Sequence, residues 1–308
     1  MAASTVDSRQ LETRARLRRA WARGTVEYYL FLIIPTIVLL AVTLVPLLYA
    51  VYLTFNKWVL YRQPVPAFVG LQNYVEMLTW DRFWNSFSIQ LVFILGSVAL
   101  QVALGLGLAL FLNREMAGRT IIRSLFLFPM VIPPVVAAFL WRFMLQSDVG
   151  VISYMLRLVG VEQTWLSTGP SAMAVLVGVD IWQFTPFVTL LLLAGLQQLP
   201  PELSDAAQVD GASSLQVFRF VILPLLMPLL LVVVILRIVE AFKVFPTIYV
   251  LTQGGPGFTT EALNYLAYLL AFDQQNMGMG ATLSLVIMGL SILVAVAFVR
   301  AGNLGREQ

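Results

Sequence analysis

The sequence has few side chains suited to covalent chemistry. Its 308 residues include no His and no Cys, which excludes thiolate nucleophiles, Ser–His–Asp triads and zinc sites built from His and Cys. An enzyme site would have to use carboxylates such as Asp180 and Glu240, which both lie inside long apolar runs. We predict no catalytic residue and no metal site in this chain.

A second set of residues has the chemistry of a binding site. Small polar ligands are held by aromatic faces and a few hydrogen-bonding side chains in largely apolar cavities. Two apolar runs contain such residues: Trp182, Gln183 and Thr185 in one, and Glu240 and Phe242 in the other. We interpret these five as candidates for a solute pathway, while packing or hydrogen bonding between helices remains an equally good interpretation for each.

Three charged residues lie close together in the second of these runs. Arg237, Glu240 and Lys243 follow one another at intervals of three residues. An unpaired charge in a bilayer costs roughly 2.5–3.5 kcal/mol on insertion scales, so such residues face a partner or a cavity. Pairing of Glu240 with both cations and a role in a solute pathway are compatible interpretations.

The elements that position these residues are apolar helices. Of all residues, 59% are hydrophobic and 11% are charged, against about 45–50% and about 25% in soluble domains. Six apolar runs reach the roughly 20 residues that a bilayer requires: residues 28–55, 87–112, 124–145, 171–196, 221–245 and 280–299. The composition therefore predicts an all-α integral membrane protein with six transmembrane helices.

Two further features of the runs are informative. The first run is longer than the roughly 7–15 apolar residues of a signal peptide, so we expect a retained helix. The third run contains Pro129, Pro133 and Pro134, and proline removes a backbone donor. We therefore expect a kinked third span that is packed inside a bundle.

The distribution of Lys and Arg predicts the orientation. With the N-terminus inside, the internal segments hold twelve of these residues and the external segments hold four, and an excess of positive charge marks the cytoplasmic side. Both termini are expected in the cytoplasm. We expect a cytoplasmic Arg-rich segment at residues 1–27, a permeation domain at 28–300 and a cytoplasmic tail at 301–308.

Residues 199–224 form the most informative polar segment. Pro200 and Pro201 end the fourth span, and acidic residues such as Glu202 suit the first turn of a new helix. Gly211 interrupts that helix, and a second short helix starts after it. The pattern predicts two short helices at a bend on the cytoplasmic face, within a loop of about residues 197–224.

This loop resembles the signature of the permease subunits of bacterial ATP-binding-cassette (ABC) importers. In that family Glu-Ala-Ala is followed after three residues by Gly and, about ten residues later, by Ile-x-Leu-Pro or a similar group. The matching residues are Asp205, Ala206, Ala207, Gly211, Ile222, Leu223 and Pro224. Asp205 replaces the usual Glu, which keeps the carboxylate and shortens its reach.

Three more segments are similar to the carbohydrate-uptake branch of these permeases. They are residues 68–74 (FVGLQNY), the Trp-x-x-x-Pro-Phe element from Trp182 to Phe187, and residues 250–256 (VLTQGGP) with Thr259 and Thr260 beyond. The matches occur in the family's order and extend from about residue 28 to 300. A Gly-Gly-Pro turn alone would be weak support, whereas the ordered set is specific.

The resemblance implies a binding-protein-dependent ABC importer permease fold in the bacterial cytoplasmic (inner) membrane. It implies translocation of a carbohydrate by alternating access, with a trehalose- or maltose-like di- or oligosaccharide, a polyol or a glycerol phosphate as the solute. The implied partners are a second homologous permease, two ATP-binding subunits and an extracytoplasmic solute-binding protein. The chain has no Gly-x-x-x-x-Gly-Lys-Ser/Thr loop, so ATP and Mg would bind to the ATPase subunits and no cofactor to this chain. The segment 205–224 would dock on the ATPase.

Two other classes of function were weighed. A self-contained secondary transporter would hold its substrate and ion sites in one chain, often with internal repeats. No repeat is visible, and that hypothesis gives no role to residues 205–224. An intramembrane enzyme would depend on the pair Asp180 and Glu240. A requirement of transport for ATP and a soluble binding protein would separate the three classes.

Overall fold

The computed structural model describes residue 29 and residues 31–114, 118–160 and 164–304. The predicted N-terminal segment and the last residues of the predicted tail lie outside this part of the chain. Two units are distinguished, residues 1–53 and 54–308. The first unit contributes α1, Phe31–Thr54, whose 24 residues extend about 36 Å at 1.5 Å per residue, enough to cross a hydrocarbon core.

The second unit is organised around two long helices. α3 (Asp81–Asn113) and α7 (Gly169–Leu196) pack against each other along their length. Gly105 of α3 permits the close approach, because a Cβ at this position would lie 2.6 Å from Val188 Cγ1. Small residues let membrane helices come together in this way, which increases van der Waals contact between the backbones. The two helices therefore form the centre of the bundle.

The predicted third span is broken into two helices. α4 (Arg119–Val131) and α5 (Pro134–Met144) meet at 97°. Ile132 and Pro133 each precede a proline and are extended, with ψ of 128° and 138°, as the proline ring forces on the residue before it. The predicted kink is thus confirmed, and its angle makes the segment two distinct helices.

The chain then passes through a polar loop into the fifth span. α8 (Pro201–Val209) precedes α9 (Ser214–Val217), a π-helical turn (Phe218–Ile222) and α10 (Leu223–Ala241). The last three are continuous and form one apolar helix, Ser214–Ala241. A short helix, α11 (Phe245–Leu251), follows and packs on α5.

The remaining elements connect or complete the spans. β1 (Asn56–Lys57) pairs antiparallel with β2 (Ala67–Phe68), and α2 (Gln72–Leu78) follows. α6 (Val151–Leu158) and α12 (Leu263–Tyr268), which continues as a π-helical turn Leu269–Asp273, lie between spans. The last span is α13, Met277–Leu304.

The count of membrane-spanning helices agrees with the sequence. Five helices are long and apolar enough to cross a bilayer, and the bent pair of α4 and α5 makes a sixth if it is taken as one span. The helical fold class is confirmed. The broken span has a consequence for the core: α5 packs on α7 and α11, while α4 packs mainly on α7.

Candidate functional site

The loop with the importer-like signature forms two helices at a sharp bend. α8 ends at Val209, and Gly211 adopts φ +86°, a conformation that L-residues with a Cβ rarely adopt. A Cβ on Gly211 would contact nothing within 4 Å, so glycine is required here for backbone conformation and not for space. The Ala212 N–H closes the helix end on the Ala207 carbonyl at 2.9 Å. The predicted bend is confirmed.

The second helix of the loop begins with a capping box. The Gln216 N–H donates to Ser213 Oγ at 3.4 Å, and the Ser213 N–H donates to Gln216 Oε1 at 2.8 Å. Reciprocal capping of this kind fixes where a helix starts. The direction of the chain on both sides of Gly211 is therefore defined by local interactions.

This loop exposes several apolar residues among its polar ones. No residue of α8 is buried, Asp205 is exposed in its second turn, and Leu203, Val209 and Leu215 are 44%, 87% and 73% exposed. A polar loop between spans gains nothing from exposing such residues, and exposed apolar patches mark interaction surfaces. The geometry fits a helix–turn–helix that docks into a groove of another protein.

The final part of the signature joins this loop to a span. The Leu223 N–H bonds to the Phe218 carbonyl, five residues earlier, so Ile222 ends a π-helical turn directly before Pro224. Proline lacks an N–H and disturbs the regular bonding of the preceding turn, and π-helical turns are a recognised way to absorb such a disturbance. Sequence reasoning placed the start of the span near Pro224, whereas the helix is continuous from Ser214.

The charges inside the spans form a buried network. Arg237 Nη2 donates to Asp180 Oδ2 at 3.2 Å, and Arg237 Nε donates to Gln101 Oε1 at 2.8 Å. Gln101 Nε2 in turn donates to Asp180 Oδ2 at 2.6 Å. The guanidinium carbon lies 4.1 Å from the centre of the Phe184 ring, a cation–π arrangement. α3, α7 and α10 are thereby joined by one polar cluster.

This network differs from the pairing that the sequence suggested. Arg237 bonds to Asp180 on another helix, and Glu240 bonds to Lys243 at 2.8 Å. Arg237 is 1% exposed, so its burial selects the partner inside the bundle. Gln101 and Phe184 were not predicted from the sequence as members of this network. The one indication available was Gln101, an amide inside a largely apolar span.

The carbonyls that are freed where spans break or end accept hydrogen bonds from side chains. Gln183 donates to the Ile132 carbonyl at 2.8 Å, Gln90 to the Ala241 carbonyl at 3.1 Å and Arg142 to the Val250 carbonyl at 2.6 Å. Asn264 donates to the Phe242 carbonyl. Away from water each such group needs an internal partner, so irregular backbone is retained inside this bundle.

Three of the five pathway candidates lie on α7, and two of them, Trp182 and Gln183, lie together at the break between α4 and α5. Gln183 bonds to Ile132 as described, and the Trp182 ring meets the Trp141 ring of α5 edge to face at 5.6 Å. Thr185, one turn along, is 5% exposed, and its carbonyl accepts from the Thr189 hydroxyl at 2.9 Å. These three residues therefore follow the inner side of α7.

The other two candidates lie at the end of α10. Phe242 is 5% exposed and belongs to the main apolar core, whereas the Glu240 side chain is 49% exposed beside Lys243. The five residues thus occupy two separate places, at the α4–α5 break and at the α10 end. Only the first combines an aromatic face with an amide.

The other signature segments have structural contacts. The Asn73 amide donates to the Thr54 and Asn56 carbonyls at 2.9 and 3.0 Å, which holds α2 against the chain that enters it. In the Gly-Gly-Pro segment the Thr260 hydroxyl donates to the Gly255 carbonyl at 2.7 Å and lies 2.9 Å from the Thr252 hydroxyl. Both segments are held in shape by polar side chains within the fold.

A buried acid next to the second segment was missed. Glu261 is 1% exposed and accepts two bonds from Arg82, at 2.8 and 2.6 Å, and a third from Ser86 at 3.2 Å. Arg82 also lies 4.2 Å from the Phe258 ring centre. The residues named here, the outer clamp, fix the Gly-Gly-Pro segment to the start of α3. Arg82 and Glu261 are 179 residues apart in the chain, so no local sequence pattern indicates that they pair.

The chain is similar to known proteins over most of its length. The family described as binding-protein-dependent transport system inner membrane component matches residues 101–302. The trehalose/maltose transport system permease protein MalF of Thermococcus litoralis is 37% identical over 284 residues, 91% of this chain and 94% of that protein. The trehalose transport system permease protein SugA of Mycobacterium tuberculosis is 34% identical over 262 residues, covering 85% and 84%.

The fold is also similar to solved structures. A chain in the crystal structure of a bacterial ABC transporter involved in the import of the acidic polysaccharide alginate has a TM-score of 0.78 at 20% identity, over 92% of this chain and 98% of that chain. The alginate transporter in complex with an alginate pentasaccharide-bound periplasmic protein gives 0.76 at 20%, over 90% and 95%. At this identity the likeness concerns the fold.

Proposed function

The chain belongs to the family of binding-protein-dependent transport system inner membrane components, and from this premise we propose that it is the transmembrane subunit of an ATP-driven carbohydrate importer. In this proposal a di- or oligosaccharide crosses the cytoplasmic membrane by alternating access. ATP and Mg bind to separate ATPase subunits, and the pathway is completed by a second homologous permease. An extracytoplasmic protein delivers the solute.

The observation that carries this proposal is the bent helix pair around Gly211. A rigid turn with exposed apolar residues on both helices is suited to docking in a groove, and its second helix is continuous with a span of 28 residues. A movement of the docked ATPase is then transmitted along Ser214–Ala241 into the bundle. Asp205, Ala206 and Ala207 lie on the first helix, and the small Ala206, Ala207 and Gly211 permit close approach of the ATPase.

The carbohydrate class rests on the relatives. Two proteins that share over a third of their residues with this chain across most of its length are named for trehalose or maltose. The chain has the corresponding chemistry at the α4–α5 break, where Trp182 offers a ring and Gln183 an amide. We propose that the solute pathway follows this side of α7 past Trp182, Gln183 and Thr185, and that Glu240 and Phe242 contribute to it from their separate place at the α10 end.

The topology follows from the same proposal. The loop at about residues 197–224 faces the cytoplasm with both termini, because it must reach an ATPase, and residues 28–300 form the permeation domain. Three segments then face the external solute-binding protein: the segment with β1, β2 and α2, the segment with α6, and the Gly-Gly-Pro segment. The twelve-to-four excess of Lys and Arg on the proposed inner side supports this arrangement.

Reconstitution tests the proposal. The chain is co-purified with its partner permease and ATPase, inserted into liposomes with the binding protein outside, and supplied with labelled trehalose or maltose. We expect uptake that requires both ATP inside and binding protein outside. Uptake driven by an ion gradient without ATP would show that the chain is a secondary transporter. ATP-dependent uptake of a polyol or glycerol phosphate, without uptake of trehalose or maltose, would show that the solute is not a di- or oligosaccharide.

A further inference from the structure

A cleft between α3, α4 and α7 has features that the transport function does not use. Its volume is about 180 Å³. The walls are apolar and include Phe126 and Leu127 from α4 and Leu190 and Leu193 from α7, while Arg123 and Gln197 stand at one end. The cleft therefore has a long apolar part and a polar, cationic end.

The polar end lies where three helices end. Leu112, which also lines the cleft, precedes the last residue of α3, and Gln197 follows the last residue of α7. Arg123 is in the first turns of α4 and donates to the Leu112 carbonyl at 3.4 Å. Because spans end at the membrane surface, this end of the cleft lies at the level of lipid headgroups and the apolar part lies among acyl chains.

The described lining of the cleft is cationic at this end. Arg123 is the one charged residue among the described residues that line the cleft, and these include no Asp or Glu. A guanidinium presents a planar fork of donors that matches a phosphate in geometry and charge. Basic residues at a membrane surface attract anionic lipids by about 1 kcal/mol each.

We propose that this cleft is a binding site for one anionic phospholipid. The phosphate of the headgroup bonds to Arg123, with Gln197 beside it, and one acyl chain lies in the apolar cleft against Phe126 and Leu190. A lipid in this place fills the angle between α4 and α7 next to the break in the third span. It stabilises the bent arrangement of α4 without contacting the proposed solute pathway.

The site is tested by lipid retention. The assembled transporter is delipidated, incubated with phosphatidylglycerol or phosphatidylcholine, and analysed by native mass spectrometry. We expect one tightly held phosphatidylglycerol per complex. Arg123→Gln removes charge-assisted bonds worth about 1.5–3 kcal/mol, so its affinity should fall about tenfold or more. Ala194→Trp, which fills the cleft from α7, should abolish retention while Arg123 remains.

Matched controls separate this site from general lipid contact. Ala174→Trp adds the same ring to an exposed position elsewhere on α7, and Arg300→Gln removes an exposed arginine at the end of α13; both should retain the lipid. Retention by Arg123→Gln and Ala194→Trp at the wild-type level would overturn the proposal. Displacement of the lipid by inorganic phosphate alone would overturn it equally.

Discussion

Arg237 and Asp180 are joined across the bundle, from α10 to α7, by a bond of 3.2 Å between side chains that are 1% and 10% exposed. Gln101 of α3 bonds to both, and the Phe184 ring covers the guanidinium. Each charge thus has a specific neighbour, which is what makes ionised groups tolerable in a bilayer. The three helices are held in one register by this cluster.

Removal of one member of this pair should be costly. Arg237→Met leaves the Asp180 carboxylate buried without its counter-charge, which destabilises a protein by about 3–5 kcal/mol. Asp180→Leu should have a similar effect, while the double variant should recover much of the loss. Thermal inactivation of the purified complex, followed by size-exclusion chromatography, measures all three.

The exposed pair at the end of α10 provides the control. Lys243 and Glu240 are 65% and 49% exposed, so Lys243→Met should cost less than about 1 kcal/mol. If Arg237→Met were as mild as Lys243→Met, the cluster would have no structural importance.

Much of the fold followed from local rules. Apolar length predicted the spans, and the prolines predicted a kink in the third span, because both depend on neighbours in the chain. The angle of 97° between α4 and α5 depends on the helices that these two pack against, and no local sequence pattern specifies those contacts. The bend at Gly211 was predictable for the same local reason.

The buried polar clusters were less accessible to sequence reasoning. Asp180 was noticed, but its partners Arg237 and Gln101 are 57 and 79 residues away in the chain. Nearness in sequence favoured Glu240 as the partner of Arg237, and burial decided otherwise. Nothing in the sequence indicated that Glu261 is buried, since a carboxylate after a turn is usually solvated.

Topology gives a direct prediction. Asp210→Cys and Tyr61→Cys each introduce one thiol into a Cys-free chain, and both positions are exposed. A membrane-impermeant maleimide should label position 61 in intact cells and position 210 only after permeabilisation. Labelling of position 210 from outside would invert or discard the proposed orientation.

The solute pathway makes a second functional prediction. Trp182→Ala removes a stacking surface that contributes about 0.5–1.5 kcal/mol, so uptake should fall by up to roughly tenfold while assembly with the ATPase persists. Glu240→Gln keeps the shape and should also lower uptake. Leu95→Ala, at a position 68% exposed on α3, is the control and should transport normally.

A structure with bound solute would decide the assignment independently. Contact of the solute with Trp182 and Gln183 is expected. Absence of solute atoms within contact distance of Trp182, Gln183 and Glu240 would show that the pathway lies elsewhere.

The outer clamp should order the Gly-Gly-Pro segment. Glu261→Gln weakens two charge-assisted bonds to Arg82, a loss of about 1.5–3 kcal/mol, and should increase proteolysis near the exposed Phe258. Asp81→Asn changes an exposed acid next to Arg82 and should have no such effect. Equal proteolysis of the two variants would contradict the role of the clamp.

The central claim, that the loop around Gly211 couples the bundle to an ATPase, is tested most directly by the ratio of solute imported to ATP hydrolysed in proteoliposomes. Gly211→Val imposes a strain of about 1–2 kcal/mol or more at φ +86°. Gly160→Val imposes a similar strain at φ +80°, also with nothing within 4 Å of the added Cβ. We predict that Gly211→Val inserts and folds but loses most of its import per ATP, while Gly160→Val keeps the wild-type ratio. A wild-type ratio for Gly211→Val would contradict the account.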